Sequence, residues 1–169
     1  QGAAALPMWI DGAWSNSYFS AAQNEATALE VFSGTLFAGT GPNAEILAFT
    51  PAAGWTASGD LPGSTVEDFE PFLGQLYALS AGSGEIWRFN GAVWSSFFDT
   101  GETGGGALAG YGGRLYAGMR GQGRIYAYDA AAGAWVLSFD SPDTDVLSIT
   151  VHNGRLYAGT DQGVFVLDS

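Results

Sequence analysis

Asp68 and Glu70 lie two residues apart in the run DFEPF (68–72), which otherwise reads as a short apolar strand. Residues at that spacing in a strand project from one face. Glu30 holds the position of Glu70 in a related run, ALEVF (28–32). Carboxylates brought together in this way can do two kinds of chemistry. Converging oxygens favour a hard cation such as Ca²⁺, and a close acidic pair has one proton affinity raised into the range useful for acid–base work. The connections that precede these runs add Glu25, Glu67, Glu102, Asp143 and Asp145. Glu30, Asp68, Glu70 and Asp145 are therefore the candidate ligands for Ca²⁺ or another hard cation. Asp68, Glu70 and Asp145, with the single histidine His152, are the candidate catalytic residues. The segment DSPDTD (140–145) has cation-like carboxylate spacing but lacks the Gly and Glu of an EF-hand loop. The plain alternative is a solvated acidic rim. His152 aligns with Phe32, Phe72 and Tyr111, which points to a hydrogen-bonded core residue before a base.

Composition narrows the field. Seventeen carboxylates against five basic residues, all Arg, give a net charge of −12. Such a surface repels phosphate backbones and anionic membranes, so neither nucleic acid nor a membrane surface is an expected partner. With no Cys, disulfides, thiol catalysis and Cys-ligated metals are excluded. One His excludes a multi-His metal site. No apolar run approaches the ~20 residues needed to span a bilayer as a helix. The chain opens on Gln1, which fits a mature chain after signal-peptide removal or a piece of something longer.

The elements that must position these side chains repeat. SGTLFAGT (33–40), LGQLYALS (73–80), GGRLYAGM (112–119) and NGRLYAGT (153–160) are four copies of one motif, anchored on Gly34, Gly74, Gly113 and Gly154. A Gly-rich turn and a second run follow each: EILAFT (45–50), EIWRFN (85–90), RIYAYD (124–129) and GVFVLD (163–168). A third run carries a Trp: GWTASGD (54–60), VWSSFFD (93–99) and WVLSFD (135–140). One more run precedes each anchoring Gly. The Gly clusters at 104–106 and 121–123 read as turns and not as phosphate cradles, since neither lies between a strand and a helix. Each unit is thus four short strands, and a four-stranded unit of about 40 residues is the mark of a β-propeller blade.

The last unit stops after three strands. The Trp strand it lacks appears at the other end as GAWSNSYF (12–19). The expected architecture is all-β: a single domain over 1–169, a four-bladed β-propeller with four antiparallel strands per blade. Residues 12–20 supply the outer strand of the last blade and close the ring; the blades span 24–60, 64–99, 103–140 and 144–169. This closure removes an unpaired sheet edge. The run ALPMWID (5–11) has no place in that scheme: it is a rim connection or the start of another blade.

The pattern G-R-L-Y-A-G-T…G-x-I-W-R-F-N-G-x-x-W resembles the blades of secreted bacterial propellers of the kelch and galactose-oxidase-like kind, over nearly the whole chain. That resemblance implies a bacterial extracellular or cell-surface location. The blade count is similar to hemopexin-type propellers, which implies an ion in the central channel and a ligand- or protein-binding role. The Cys pair and repeat signature of that family are missing, so no residues carry over.

Recurring Trp14, Trp55, Trp94 and Trp135 suit packing between blades. Trp9 and Arg120 break the repeat and are the candidate ligand-binding residues. The expected function is a non-catalytic binding module, a monomer that recognises a glycan, small ligand or protein on one propeller face. The alternatives are a metal-assisted hydrolase or lyase at the acidic channel mouth, and an assembly unit of a larger ring.

Overall fold

The computed structural model describes residues 25–167. Trp9, Trp14, the run 5–11 and the proposed closing strand 12–20 lie outside the described residues. Every regular element among the described residues is a β-strand, in four antiparallel sheets. Sheet one is β1 (Glu25–Phe32), β2 (Thr35–Gly41), β3 (Glu45–Thr50) and β4 (Gly54–Asp60). Sheet two is β5 (Thr65–Phe72), β6 (Gln75–Ala81), β7 (Glu85–Phe89) and β8 (Trp94–Asp99). Sheet three is β9 (Gly104–Tyr111), β10 (Arg114–Arg120), β11 (Arg124–Asp129) and β12 (Ala134–Asp140). Sheet four is β13 (Val146–His152), β14 (Arg155–Thr160) and β15 (Val164–Val166). Within each sheet the strands lie in sequence order.

The anchoring glycines explain the period. Each first hairpin turns on two residues of positive φ: Ser33–Gly34, Leu73–Gly74, Gly112–Gly113 and Asn153–Gly154. That is the type I′ geometry, whose twist matches that of the flanking strands. Glycine takes the second place in all four turns.

Alternation along the second strand then builds the interfaces. Leu115 and Ala117 face sheet two, whereas Tyr116, between them, faces sheet four. Each sheet therefore packs one face backward and one forward. The three interfaces use the same pair of positions: Ile46 with Phe69, Ile86 with Leu108, and Ile125 with Ile149. The inner strands β1, β5, β9 and β13 pack side by side in that order. Among the described residues no comparable packing joins β13 to β1. Among the described residues the four sheets follow one another in an arc, with no sheet packed beyond sheet one or sheet four.

Gly104–Gly106, read as a turn, instead form the first three residues of β9. A Cβ on Gly105 would stand 2.5 Å from Leu79 Cγ, and one on Gly106 would stand 1.9 Å from the carbonyl oxygen of Val146. The glycines are there because β9 is squeezed between two sheets, not because the chain turns.

Candidate functional site

Asp68 and Glu70 project from β5 toward the free edge of β9. Asp68 Oδ2 accepts a hydrogen bond from the Leu108 amide at 2.7 Å, and its Oδ1 accepts from the Phe69 amide at 2.9 Å. Glu70 Oε1 accepts from the Gly110 amide at 2.8 Å. The reason is backbone chemistry. β9 is the innermost strand of its sheet, so alternate amides on its open edge have no ladder partner and need an acceptor. Two acids at a spacing of two meet two amides at the same spacing. Gly110 makes room: a Cβ there would sit 3.0 Å from Glu70 Oε1.

Glu30 stands near this pair on β1, its Oε1 accepting from the Val31 amide at 2.9 Å. Both β5 carboxyls hold their protons more tightly than usual. For Asp68 the cause is first burial, opposed by the two amide bonds, with repulsion from Glu30 and Glu67 adding to it. For Glu70 burial again leads, opposed by the Gly110 amide, and the charges of Asp68 and Glu30 add to it.

Asp145 does not join them. Its Oδ1 accepts from the Gly121 amide at 2.8 Å, and it forms a bridge with Arg120 that pins the link between sheets three and four. No group of three His, Asp or Glu side chains that could hold a metal occurs among the described residues. The expected cluster of Glu30, Asp68, Glu70 and Asp145 is thus replaced by an acidic trio on two inner strands plus a separate loop aspartate. Arg120 reaches back to Glu67, 3.5 Å away, and so straddles the ends of three sheets.

His152 is exposed and is not the core residue its alignment with Phe72 implied. Phe72 packs forward against sheet three. His152 occupies the same forward position in sheet four, where no following sheet covers it among the described residues. Its Nε2 lies 3.0 Å from Asn153 Nδ2.

The sequence reading passed over Glu102 as one more acidic mouth residue. It is buried and binds Arg124 Nη1 at 2.8 Å and the Tyr126 hydroxyl at 3.0 Å. That contact ties the link between sheets two and three to β11. The signal was Arg124, the only Arg at the head of a third strand.

Two concavities lined by no charged side chain lie elsewhere. Between sheets one and two a hollow of about 370 Å³ has Phe32, Phe37 and Phe89 as its aromatic walls. Ser33, Thr35, Thr50 and Ser58 bring hydroxyls to it, and no charged side chain lines it. A second hollow, of about 230 Å³ and mainly apolar, opens between sheets three and four, lined by Tyr116, Ile125, Phe139, Leu156 and Phe165.

No family model matches the chain, and no curated protein matches it. Solved structures do. The extracellular domain of BT4673 from B. thetaiotaomicron superposes with a TM-score of 0.70 at 16% identity, over 86% of this chain and 21% of that one. Virginiamycin B lyase from Staphylococcus aureus gives 0.67 at 12% identity, over 85% and 55%. The computationally designed Ika4 protein gives 0.63 at 18% identity, over 86% and 91%. This chain therefore spans about half of the lyase and a fifth of the BT4673 domain. Both of these natural proteins are β-propellers, and the radial order of sheets with inner strands side by side is that of a β-propeller.

Proposed function

We propose that the protein is a non-catalytic recognition module that takes an uncharged polyhydroxylated ligand, a neutral glycan, in the hollow between sheets one and two. One observation carries this reading: the half-buried rings of Phe32 and Phe89, over the buried Phe37, share an uncharged concavity with four hydroxyls. Binding sites are mostly apolar walls with a few placed polar groups. Aromatic faces take the C–H face of a sugar, and hydroxyls read its rim. The acids that favoured an enzyme are engaged otherwise. Asp68 and Glu70 cap backbone amides, and Asp145 holds a loop. A location outside the cell fits this role, and one matched protein is itself an extracellular domain.

The test is retention on a glycan array, with Thr50→Trp as the control that fills the hollow. Thr50 ends β3 beside a surface turn, so a larger side chain there is compatible with folding. The expected result is binding to neutral glycans that Thr50→Trp abolishes at unchanged melting temperature. Silence across the neutral array, or binding that Thr50→Trp leaves intact, would sink the reading.

A further inference from the structure

The hollow between sheets one and two is a departure from the repeat. Ser58 is the extra residue of a bulge in β4, between the partners of Ile46 and Leu47. Phe97 is the matching residue of β8, between the partners of Ile86 and Trp87. Ala48 and Arg88 correspond in the same way, Ala48 pairing with Phe37 on β2 and Arg88 with Tyr77 on β6. At the interface of sheets two and three the Arg88 guanidinium lies over the Phe97 ring at 4.7 Å. That ring packs against Tyr77 and Tyr128 at 5.3 and 4.9 Å. A ring and a long side chain thus fill the place that Ser58 and Ala48 leave open one interface earlier.

The hydroxyls of the hollow are not equivalent. Trp94 Nε1, which can only donate, gives its hydrogen to Ser58 Oγ at 3.2 Å. The Ala53 amide gives its hydrogen to Thr50 Oγ1, also at 3.2 Å. A hydroxyl carries one hydrogen and two lone pairs. Ser58 and Thr50 therefore each have a lone pair engaged, while their own hydrogens have no acceptor among the described residues. Both are set to donate to a ligand. The Ser33 and Thr35 hydroxyls make no hydrogen bond among the described residues and keep lone pairs for a donor. Ser58 also stands beside the aromatic floor. The Trp94 ring that it binds lies 5.1 Å from Phe89 and 6.2 Å from Phe37, and those two rings meet at 5.4 Å.

We infer that the hollow selects a sugar that carries an acetamido group. The inference rests on the neutral-glycan reading above and names the substituent that is recognised. The acetamido carbonyl oxygen accepts from Ser58, its methyl lies against Phe89 over the buried Phe37, and its N–H donates to Ser33 or Thr35. The alternatives each leave part of the hollow unmatched. A plain hydroxyl offers no methyl to the rings. An ammonium offers no acceptor to Ser58, and an unmet donor in an apolar site is costly. A carboxylate would accept, but it meets a chain of net charge −12 and a hollow without a cation.

The test is a titration of the ¹⁵N-labelled chain, read at the Trp94 Nε1–H signal, which is assigned by its loss in Trp94→Phe. The probes are the methyl glycosides of N-acetylglucosamine, glucosamine and glucose, and of their galacto counterparts. The expected result, in at least one series, is that the acetamido sugar binds about tenfold more tightly than the hydroxyl and amino sugars, the worth of one matched hydrogen bond. Ser58→Ala should erase that preference, and Ser58→Thr, which keeps the donor, should retain it. The ligand comparison is made on the wild-type chain, so it decides even where Ser58→Ala lowers the melting temperature. Hydroxyl sugars that bind as tightly as acetamido sugars would overturn the inference and leave the neutral-glycan reading standing. An amino sugar that binds most tightly, or a preference that survives in Ser58→Ala, would overturn it too. No shift with any of the sugars would overturn the inference, and silence on the neutral array as well would take the glycan reading with it.

Discussion

The interface between sheets two and three and that between sheets three and four use the same repeat positions but are filled to different degrees. In the first, Trp135 stacks on Phe98 at 4.8 Å with the rings 7° apart, and Tyr128 and Phe97 close around it. Arg88 lies over the Phe97 ring at 4.7 Å. In the second, Phe139 and Phe165 meet at 5.1 Å and the outer half is an open hollow. The inner halves match: Leu79, Ile86 and Leu115 in one, Tyr116, Val146 and Leu156 in the other, all buried. Second and third strands are enough to build the inner core. The outer core is built only where a fourth strand donates its Trp.

Neighbouring glycines break the two interfaces separately, and here the largest effects are expected. Gly105 faces sheet two and Gly106 faces sheet four. Gly106→Ala drives a methyl into the backbone carbonyl of Val146, which cannot rotate away, and should cost about 3 kcal/mol in chemical denaturation. Gly105→Ala meets the Leu79 side chain first and should cost less, about 2 kcal/mol. Equal costs would mean that the two interfaces yield equally.

Cavity-forming substitutions sharpen the same contrast. Leu115→Ala empties a site packed on all sides and should cost about 3 kcal/mol. Leu156→Ala lies beside an existing hollow, has fewer neighbours to lose, and should cost about 2 kcal/mol. The order, read from denaturation midpoints at constant slope, is the checked quantity.

The strands and their order were legible in the sequence because the repeat says the same thing four times. Period-two alternation in RLYAG (114–118) places Leu115 and Tyr116 on opposite faces, and the packing is the same. The Gly104–Gly106 run was misread because a glycine cluster looks alike whether it makes a turn or a close approach, and only the neighbouring sheet distinguishes the two. The acids were legible as residues sharing a strand face. Their partners were not, because the amides of Leu108 and Gly110 carry no side-chain signature. The hollow at Phe32, Phe37 and Phe89 was hidden for a related reason: each phenylalanine occupies an ordinary repeat position, and the concavity exists only between two sheets.

The axis offers a milder contrast. Asp68 and Glu70 cap β9 from sheet two, whereas sheet three offers only Ala107 and Ala109 toward β13. Both capping carboxyls have folded affinities for protons raised above the ordinary 3.8 and 4.5. The folded state thus binds more protons than the unfolded one over that interval, and stability falls as pH rises from the ordinary values through the elevated ones. Asp129 and Asp161 are shifted the other way, so their contribution is lost only as pH falls below the ordinary range. The expected wild-type profile therefore declines with rising pH just above pH 4. Asp68→Asn with Glu70→Gln should flatten that decline while keeping an oxygen acceptor for each β9 amide. A double variant with an unchanged slope would place the decline on other groups.

Arg120 touches both interfaces and should matter least. Its guanidinium pairs with Glu67 from the end of sheet two, and its backbone bridges Asp145 on the way to sheet four. The ion pair is 3.5 Å long with the Arg side chain 41% exposed, a geometry that contributes little in water. Arg120→Ala should cost about 0.5 kcal/mol and lose most of that difference in about 1 M salt, where the Debye length falls to about 3 Å. Arg120→Met separates stem from charge, since it keeps an aliphatic stem of similar length and removes only the pair. If Met matches wild type at high salt and Ala does not, the stem is the part that holds the mouth together. If both fall equally at low salt, the charge is.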